Sequence, residues 1–205
     1  MEYGIGADVS CTDGSAGKIV ALIANPAKRT LAHIAVEVAH QPTDARIVPA
    51  DLVRTATESG VQLRCSLEEL SRLPEFHRID RVSYGPGNGY PGADVAVPYY
   101  GLSEHQAPTI ADRIPSGEVA FRRHDRVHAT DGAVGQLRGF VVDGDEYITH
   151  VLLREGHLWA RKEVAIPIGA LETIDGDGLH VGLSKREISD LPEIGTRLGE
   201  PPAPT

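Results

Sequence analysis

Thr130-Asp131-Gly132-Ala133-Val134-Gly135 has a near copy upstream, Thr12-Asp13-Gly14-Ser15-Ala16-Gly17. The two stretches lie 118 residues apart (131 − 13 = 118), and the offset persists along the chain. Pro49 matches Pro167, Thr55 matches Thr173, Ser66 matches Ser184, and Leu73-Pro74-Glu75 matches Leu191-Pro192-Glu193. His33 matches His150 at an offset of 117, so one residue has been gained or lost in a turn between. Self-similarity at one fixed offset marks a tandem duplication, and every element has to fit both copies.

The repeat divides the 205 residues into a first copy over 4–77, a connector over 78–117, a second copy over 118–195 and a tail over 196–205. A unit of this size buries only about 60–65% of its unfolded surface, so docking of the copies is expected. The Pro201-Pro202-Ala203-Pro204 ending predicts a disordered tail. The formal net charge of −9 opposes binding to nucleic acid or an anionic membrane surface, which needs basic patches. No apolar run is long enough to span a bilayer. Met1-Glu2-Tyr3-Gly4 carries neither the basic region nor the apolar stretch of a signal peptide, which predicts a cytoplasmic protein. The two cysteines, Cys11 and Cys65, are replaced in the second copy by Ala129 and Leu183. Apolar replacements suggest buried thiols; a disulfide stays open, without any disulfide framework.

Short strands follow one another at close spacing in each copy. In the first they fall at Ala7–Cys11, Lys18–Ala24, Leu31–Ala39, Arg46–Pro49, Leu52–Ala56 and Val61–Arg64. In the second, an opening strand over Arg122–Ala129 precedes Gln136–Val142, Tyr147–Arg154, His157–Arg161, Val164–Ile168, Glu172–Ile174 and Leu179–Leu183. This spacing predicts an all-β fold of two small barrels or sandwiches. In the Asp-Gly turns, Asp13 and Asp131 are expected to cap their own backbone, and Gly14 and Gly132 to take positive φ. Each copy closes with a capping box, Ser66-Leu67-Glu68-Glu69 and Ser184-Lys185-Arg186-Glu187, so each ends in a short helix stopped at Leu73-Pro74 or Leu191-Pro192. The connector, with Tyr84-Gly85-Pro86-Gly87-Asn88-Gly89-Tyr90, is neither helix nor inner strand, and its end reads as a loop. Its Tyr84, Tyr90, Tyr99 and Tyr100 suggest that part of it packs on a barrel.

The ordered set Asp13-Gly14, Gly17, His33-Ile34, Val48-Pro49 and Leu73-Pro74-Glu75, repeated as Asp131-Gly132, Gly135, His150-Val151, Ile166-Pro167 and Leu191-Pro192-Glu193, resembles the PRC-barrel family. That family is named for the cytoplasmic domain of the photosynthetic reaction-centre H subunit. It includes a domain of the small-subunit ribosome-maturation factor and many free-standing bacterial proteins. The resemblance spans both copies but not the connector. It implies two tandem small PRC-like β-barrels used as assembly or adaptor modules, without catalysis. The chain departs from the H subunit in having no transmembrane helix before either copy, so fold carries over and task does not.

The Asp-Gly-x-x-Gly turns lack the helix and the Lys-Ser/Thr of a phosphate loop. His33 and His40 recur as His150 and His157, but no acidic or cysteine partners recur with them, so no metal or cofactor is expected. No nucleophile with a base and an orienting acid recurs either, and the chain does not read as an enzyme. The expected function is a binding or scaffold protein with an unidentified protein partner, possibly a homodimer. Two alternatives remain: a small-ligand carrier with a pocket between the barrels lined by the four connector tyrosines, and a ribosome- or RNA-associated assembly factor. The hairpin His157-Leu158-Trp159-Ala160-Arg161-Lys162 holds the only Trp beside Arg and Lys. Trp and Arg are enriched at binding hot spots, which makes Trp159, Arg161 and Lys162 the candidate contact surface.

Overall fold

The computed structural model describes residues 1–38, 45–57, 60–81, 108–123, 125–155, 162–175 and 178–192. The first copy runs β1 (Glu2–Gly4), β2 (Asp8–Ser10), β3 (Ser15–Asn25), β4 (Thr30–Val38), β5 (Ala45–Pro49), a 3-10 turn (Ala50–Leu52), β6 (Val53–Thr57), β7 (Gly60–Leu63) and α1 (Leu67–Ser71). The connector contributes β8 (His77–Arg81) and β9 (Pro108–Asp112). The second copy repeats the order as β10 (Val119–Arg122), β11 (Arg126–Ala129), β12 (Gly132–Val142), β13 (Ile148–Glu155), β14 (Lys162–Pro167), a 3-10 turn (Ile168–Ala170), β15 (Leu171–Asp175), β16 (Gly178–Val181) and α2 (Lys185–Ser189).

The fold is mostly β. One sheet runs β5-β4-β3-β2-β7-β6 and the other β14-β13-β12-β11-β16-β15, and in both, among the described residues, the one parallel pair joins the second and last strands of a copy, β2 with β7 and β11 with β16. Hydrogen bonds repeat with the sequence. Thr12 N–H donates to the Cys65 carbonyl and Thr130 N–H to that of Leu183, each at 3.0 Å. Two expectations change. The strand read over Arg122–Ala129 is broken after Arg122, where Asp125 accepts from the Arg122 N–H and turns the chain. The connector end read as loop supplies β9, paired with β8 from His77↔Asp112 to Arg81↔Pro108.

The copies exchange their first strands. Strand β1 pairs with β12 (Tyr3↔Phe140) in the second sheet, and β10 pairs with β3 (Phe121↔Leu22) in the first. The long strands allow this. The pairing of β3 with β4 is bulged between Ile19 and Ala21, and that of β12 with β13 between Leu137 and Gly139, equivalent positions in the two copies. A bulge bends a strand and strengthens its twist. The first part of each long strand therefore pairs within its own copy and the later part receives the strand from the other. The β3–β4 and β12–β13 turns also meet. Leu31 N–H donates to the Glu146 carbonyl at 2.9 Å, and Ile148 N–H to that of Arg29 at 2.8 Å. Arg29 and Glu146 are the two non-glycine residues with positive φ among those described, at 56° and 63°. Residue i of one copy thus meets j of the other, and j meets i, which is the pattern of an isologous contact.

Burial follows from this exchange. Tyr3, Leu22, Phe121 and Phe140 belong to a single hydrophobic core drawn from both copies. The Phe121 and Phe140 rings meet edge to face at 5.2 Å. A second, smaller core of Ala21, Ile23, Ala35, Ala45, Ile47 and Phe76 lies on the other face of the first sheet. No helix among the described residues is long and apolar enough to cross a membrane.

Candidate functional site: the outer faces of the two sheets

The Asp-Gly turns act at long range. Asp13 Oδ1 accepts the Leu67 N–H and Asp131 Oδ1 the Lys185 N–H, each at 2.9 Å. The expectation that these aspartates cap their own backbone is therefore corrected: each holds the first N–H of the helix that ends its copy. The capping boxes are present in both helices. Hydrogen bonds from the Ser66 and Ser184 backbone N–H groups, then from their hydroxyls, hold the Glu69 and Glu187 carboxyls below the usual carboxylate range. The positive-φ expectation holds at Gly132 (118°) but moves in the first copy from Gly14 to Gly17 (148°). Gly17 follows the bulge between Val9 and Ser10 in β2–β3 pairing, and Gly135 follows the matching bulge in β11–β12.

Of the candidate contact residues, Trp159 and Arg161 lie outside the described residues. Lys162 opens β14, and its ammonium donates to the carbonyls of Ser189 (2.5 Å) and Leu191 (2.7 Å). It thereby neutralises the carbonyl end of α2, a favourable place for a cation. In the first copy Arg46, two positions further on in register, reaches the equivalent carbonyl of Leu73 at 3.1 Å.

Beside Lys162 the outer face of the second sheet is charged. Arg154 donates to Glu163 Oε1 through Nε (3.0 Å) and a terminal nitrogen (2.6 Å). Arg138 Nε lies 3.6 Å from the same oxygen, and its guanidinium also donates to the Ile5 carbonyl at 2.7 Å. All three side chains keep between 25% and 30% of their surface exposed. The same places in the first copy hold Val20, Glu37 and Ala45. There Phe76 covers the sheet, with the Arg122 guanidinium 5.7 Å above its ring. Asp112 receives both Arg122 and His77 Nδ1, the latter at 3.0 Å. Burial first, then the Arg122 cation, holds the His77 imidazole below its ordinary value.

The opposite surface differs as well. Thr55, Gln62, Ser10 and Ser15 stand in register across β6, β7, β2 and β3 and line a shallow groove of about 270 Å³. The matching row is Thr173, His180, His128 and Ala133. There the His128 and His180 rings stack at 4.8 Å. Cross-strand register could have shown this pair, had the parallel β11–β16 ladder been foreseen. Among the described residues no group of three or more His, Cys, Asp or Glu side chains could hold a metal ion. His33 pairs with Glu118 of the other copy at 3.0 Å, and His150 with Thr149 at 3.0 Å. His40 and His157 lie outside the described residues.

Between the copies, a cavity of about 20 Å³ is walled by Ala24, Phe121, Phe140, Ile148 and Leu179. That is room for about one water, far below the several hundred Å³ of a drug-sized site. Tyr84, Tyr90, Tyr99 and Tyr100 lie outside the described residues. No protein-family model matches the chain, and no curated protein does either.

Proposed function

We propose that the protein is a non-catalytic adaptor, two PRC-like barrels fused in tandem, which binds a protein partner through the outer face of its second sheet. The observation that carries this reading is the difference between the two outer faces. The first carries a small apolar core covered by Phe76 from its own chain, with Glu37 beside Ala45 as its charged residue among those compared. The second presents the partly exposed ionic groups Arg138, Arg154 and Glu163, with Glu2 of β1 on the same face, in a chain of net charge −9. A charged, semi-exposed sheet face suits a partner surface of complementary charges, and charge complementarity sets specificity and encounter rate. The sequence just before β14 adds Trp159 and Arg161, residue types that dominate binding energy where they are central to an interface. The isologous contact between the copies supports the same reading, because it uses up inside one chain the surfaces through which single copies would dimerise.

Native mass spectrometry of the protein drawn from its own cells tests this. The expected species is a complex with another protein, lost in Trp159→Ala while the melting temperature barely moves. A bound small molecule in place of a partner protein supports the carrier reading instead. An indole that fluoresces as buried, whose removal only lowers stability, places Trp159 in the core and removes the proposed surface.

A further inference from the structure

The only two cysteines in the chain, 54 positions apart (65 − 11 = 54), are both free and buried, on segments that the fold joins. Their segments lie side by side. The Thr12 N–H (3.0 Å) and Thr12 hydroxyl (3.3 Å) both donate to the Cys65 carbonyl, and the Leu67 N–H donates to Asp13 at 2.9 Å. Cys11-Thr12-Asp13 is thereby clasped to Cys65-Ser66-Leu67. The bonds of Thr12 to the Cys65 carbonyl set the two cysteine-bearing segments side by side, and Cys65 is among the groups that act directly on the Cys11 thiol; a disulfide needs a Cα separation of about 4.4–6.8 Å. Both thiols are buried, 5% and 6% exposed.

The second copy serves as a control. It closes the same clasp, Thr130 N–H to the Leu183 carbonyl and Lys185 N–H to Asp131, with Ala129 and Leu183 in place of the cysteines. The fold therefore does not need sulfur at either position, yet the first copy carries it at both.

We propose that Cys11 and Cys65 are a modification site, a thiol pair that a small-molecule disulfide oxidises to an intramolecular disulfide stapling the first copy. One cysteine thiolate attacks the reagent R–S–S–R, forming a mixed disulfide and releasing R–S⁻, which takes up the proton that the cysteine lost. The second thiolate then attacks the protein sulfur of that mixed disulfide and displaces the second R–S⁻, protonated in turn. The two cysteines lose two electrons and two protons, and the reagent leaves as two R–SH. In the folded protein the step is slow. Burial, and then the neighbouring Cys65, push the Cys11 thiol up to about 12, so it stays protonated. Oxidation therefore proceeds when the start of α1 lifts, and the Asp13 cap gates it.

The test uses the full chain and oxidised glutathione at pH 8, followed by an acid quench, unfolding, alkylation and intact mass. The expected product has lost two hydrogens and takes up no alkylating reagent. Its melting temperature is raised by about 5–15 °C, the size expected for closing a loop of this length in a chain of this size. Dithiothreitol reverses both changes. Asp13→Ala should oxidise several-fold faster. Cys11→Ala and Cys65→Leu, the residues that the second copy already accommodates, should show neither the mass loss nor the thermal shift. Two free thiols after prolonged oxidation, two glutathione adducts, or a disulfide only between chains would each overturn the proposal. So would an oxidised form that melts at or below the temperature of the reduced protein.

Discussion

The first and second copies are built on one skeleton but finish it differently. In the first, Val20 and Ala45 belong to an outer face that Phe76 seals. In the second, the same positions are Arg138 and Glu163, which with Arg154 form an ionic trio at the surface. Strands, bulges, caps and the exchanged first strand recur at a fixed offset because they are set by backbone hydrogen bonds, which neither copy can leave unmade inside a core. Outward-facing side chains carry no such obligation. A duplication therefore keeps its bonding pattern and diverges at its faces, and the difference between the faces locates specialised function better than either copy alone.

The comparison is broken most directly at the exchanged strands. Phe121 lies 2% exposed against Phe140, and its equivalent Tyr3 is 1% exposed with its hydroxyl toward Met1. Phe121→Ala and Tyr3→Ala should each cost about 3–5 kcal/mol, the usual loss for a buried aromatic side chain. Urea unfolding of both variants measures it. If the contact is isologous in energy as in geometry, the two losses agree to within about 1 kcal/mol. A small loss at Tyr3 beside a large one at Phe121 would show that only the inner strand matters.

A sharper cut is available where the two exchanges differ. Gly139 faces the arriving β1 so closely that an added Cβ would overlap the Tyr3 carbonyl oxygen. Its equivalent, Ala21, already carries a methyl group in the second core and pairs with Arg122. Gly139→Ala should destabilise by about 1–3 kcal/mol through overpacking. Ala21→Gly should cost about 1 kcal/mol, from backbone freedom and the lost methyl. Equal effects at both sites would mean that β1 shifts freely on β12.

The skeleton was legible in the sequence because the repeat sampled it twice. Turns, short strands and the two capping boxes depend on local residue types, and a weak signal found at both ends of an offset becomes a strong one. The exchange was not legible. Tyr3 and Phe121 match at the offset, but nothing in a short apolar segment states which sheet receives it. The reach of Asp13 to Leu67 and of Asp131 to Lys185 was hidden for the same reason: Asp-Gly is a local turn motif, and its second bond spans 54 residues. Lys162 was read as an exposed contact because its charge is local, whereas its partners, the Ser189 and Leu191 carbonyls, are set by tertiary packing.

That long-range cap gives a matched pair of variants. Asp13→Ala and Asp131→Ala should each lose about 1 kcal/mol, as for other helix caps, and do so independently, since each serves its own helix. A double variant measured by denaturation should show the sum. A single cap carrying the whole loss would mean that α1 and α2 are unequal in weight despite equal bond lengths.

The smallest effects lie in pH, and here the copies should separate. Glu69 and Glu187 are both held below the usual carboxylate range by their capping bonds. A carboxyl whose folded value is lowered adds stability that is fully present above its unfolded value, about 4.3. That stability is lost as pH falls through the folded value. Both copies should therefore contribute to an acid limb below about pH 4.3. Glu69→Gln and Glu187→Gln should each flatten it while the amide oxygen keeps the cap in place at neutral pH. His77 exists only beside the first copy, and its folded value is also lowered. Its neutral form is the one the fold favours, so stability is full above its unfolded value, about 6.5, and falls as pH drops below it. The part of the slope just below pH 6.5 that comes from His77 should thus belong to the first copy and vanish in His77→Gln. Melting temperatures taken from pH 3 to 8 for the three single variants decide this. Loss of the upper slope in Glu187→Gln, or its survival in His77→Gln, would break the assignment of that slope to the seal over the first sheet.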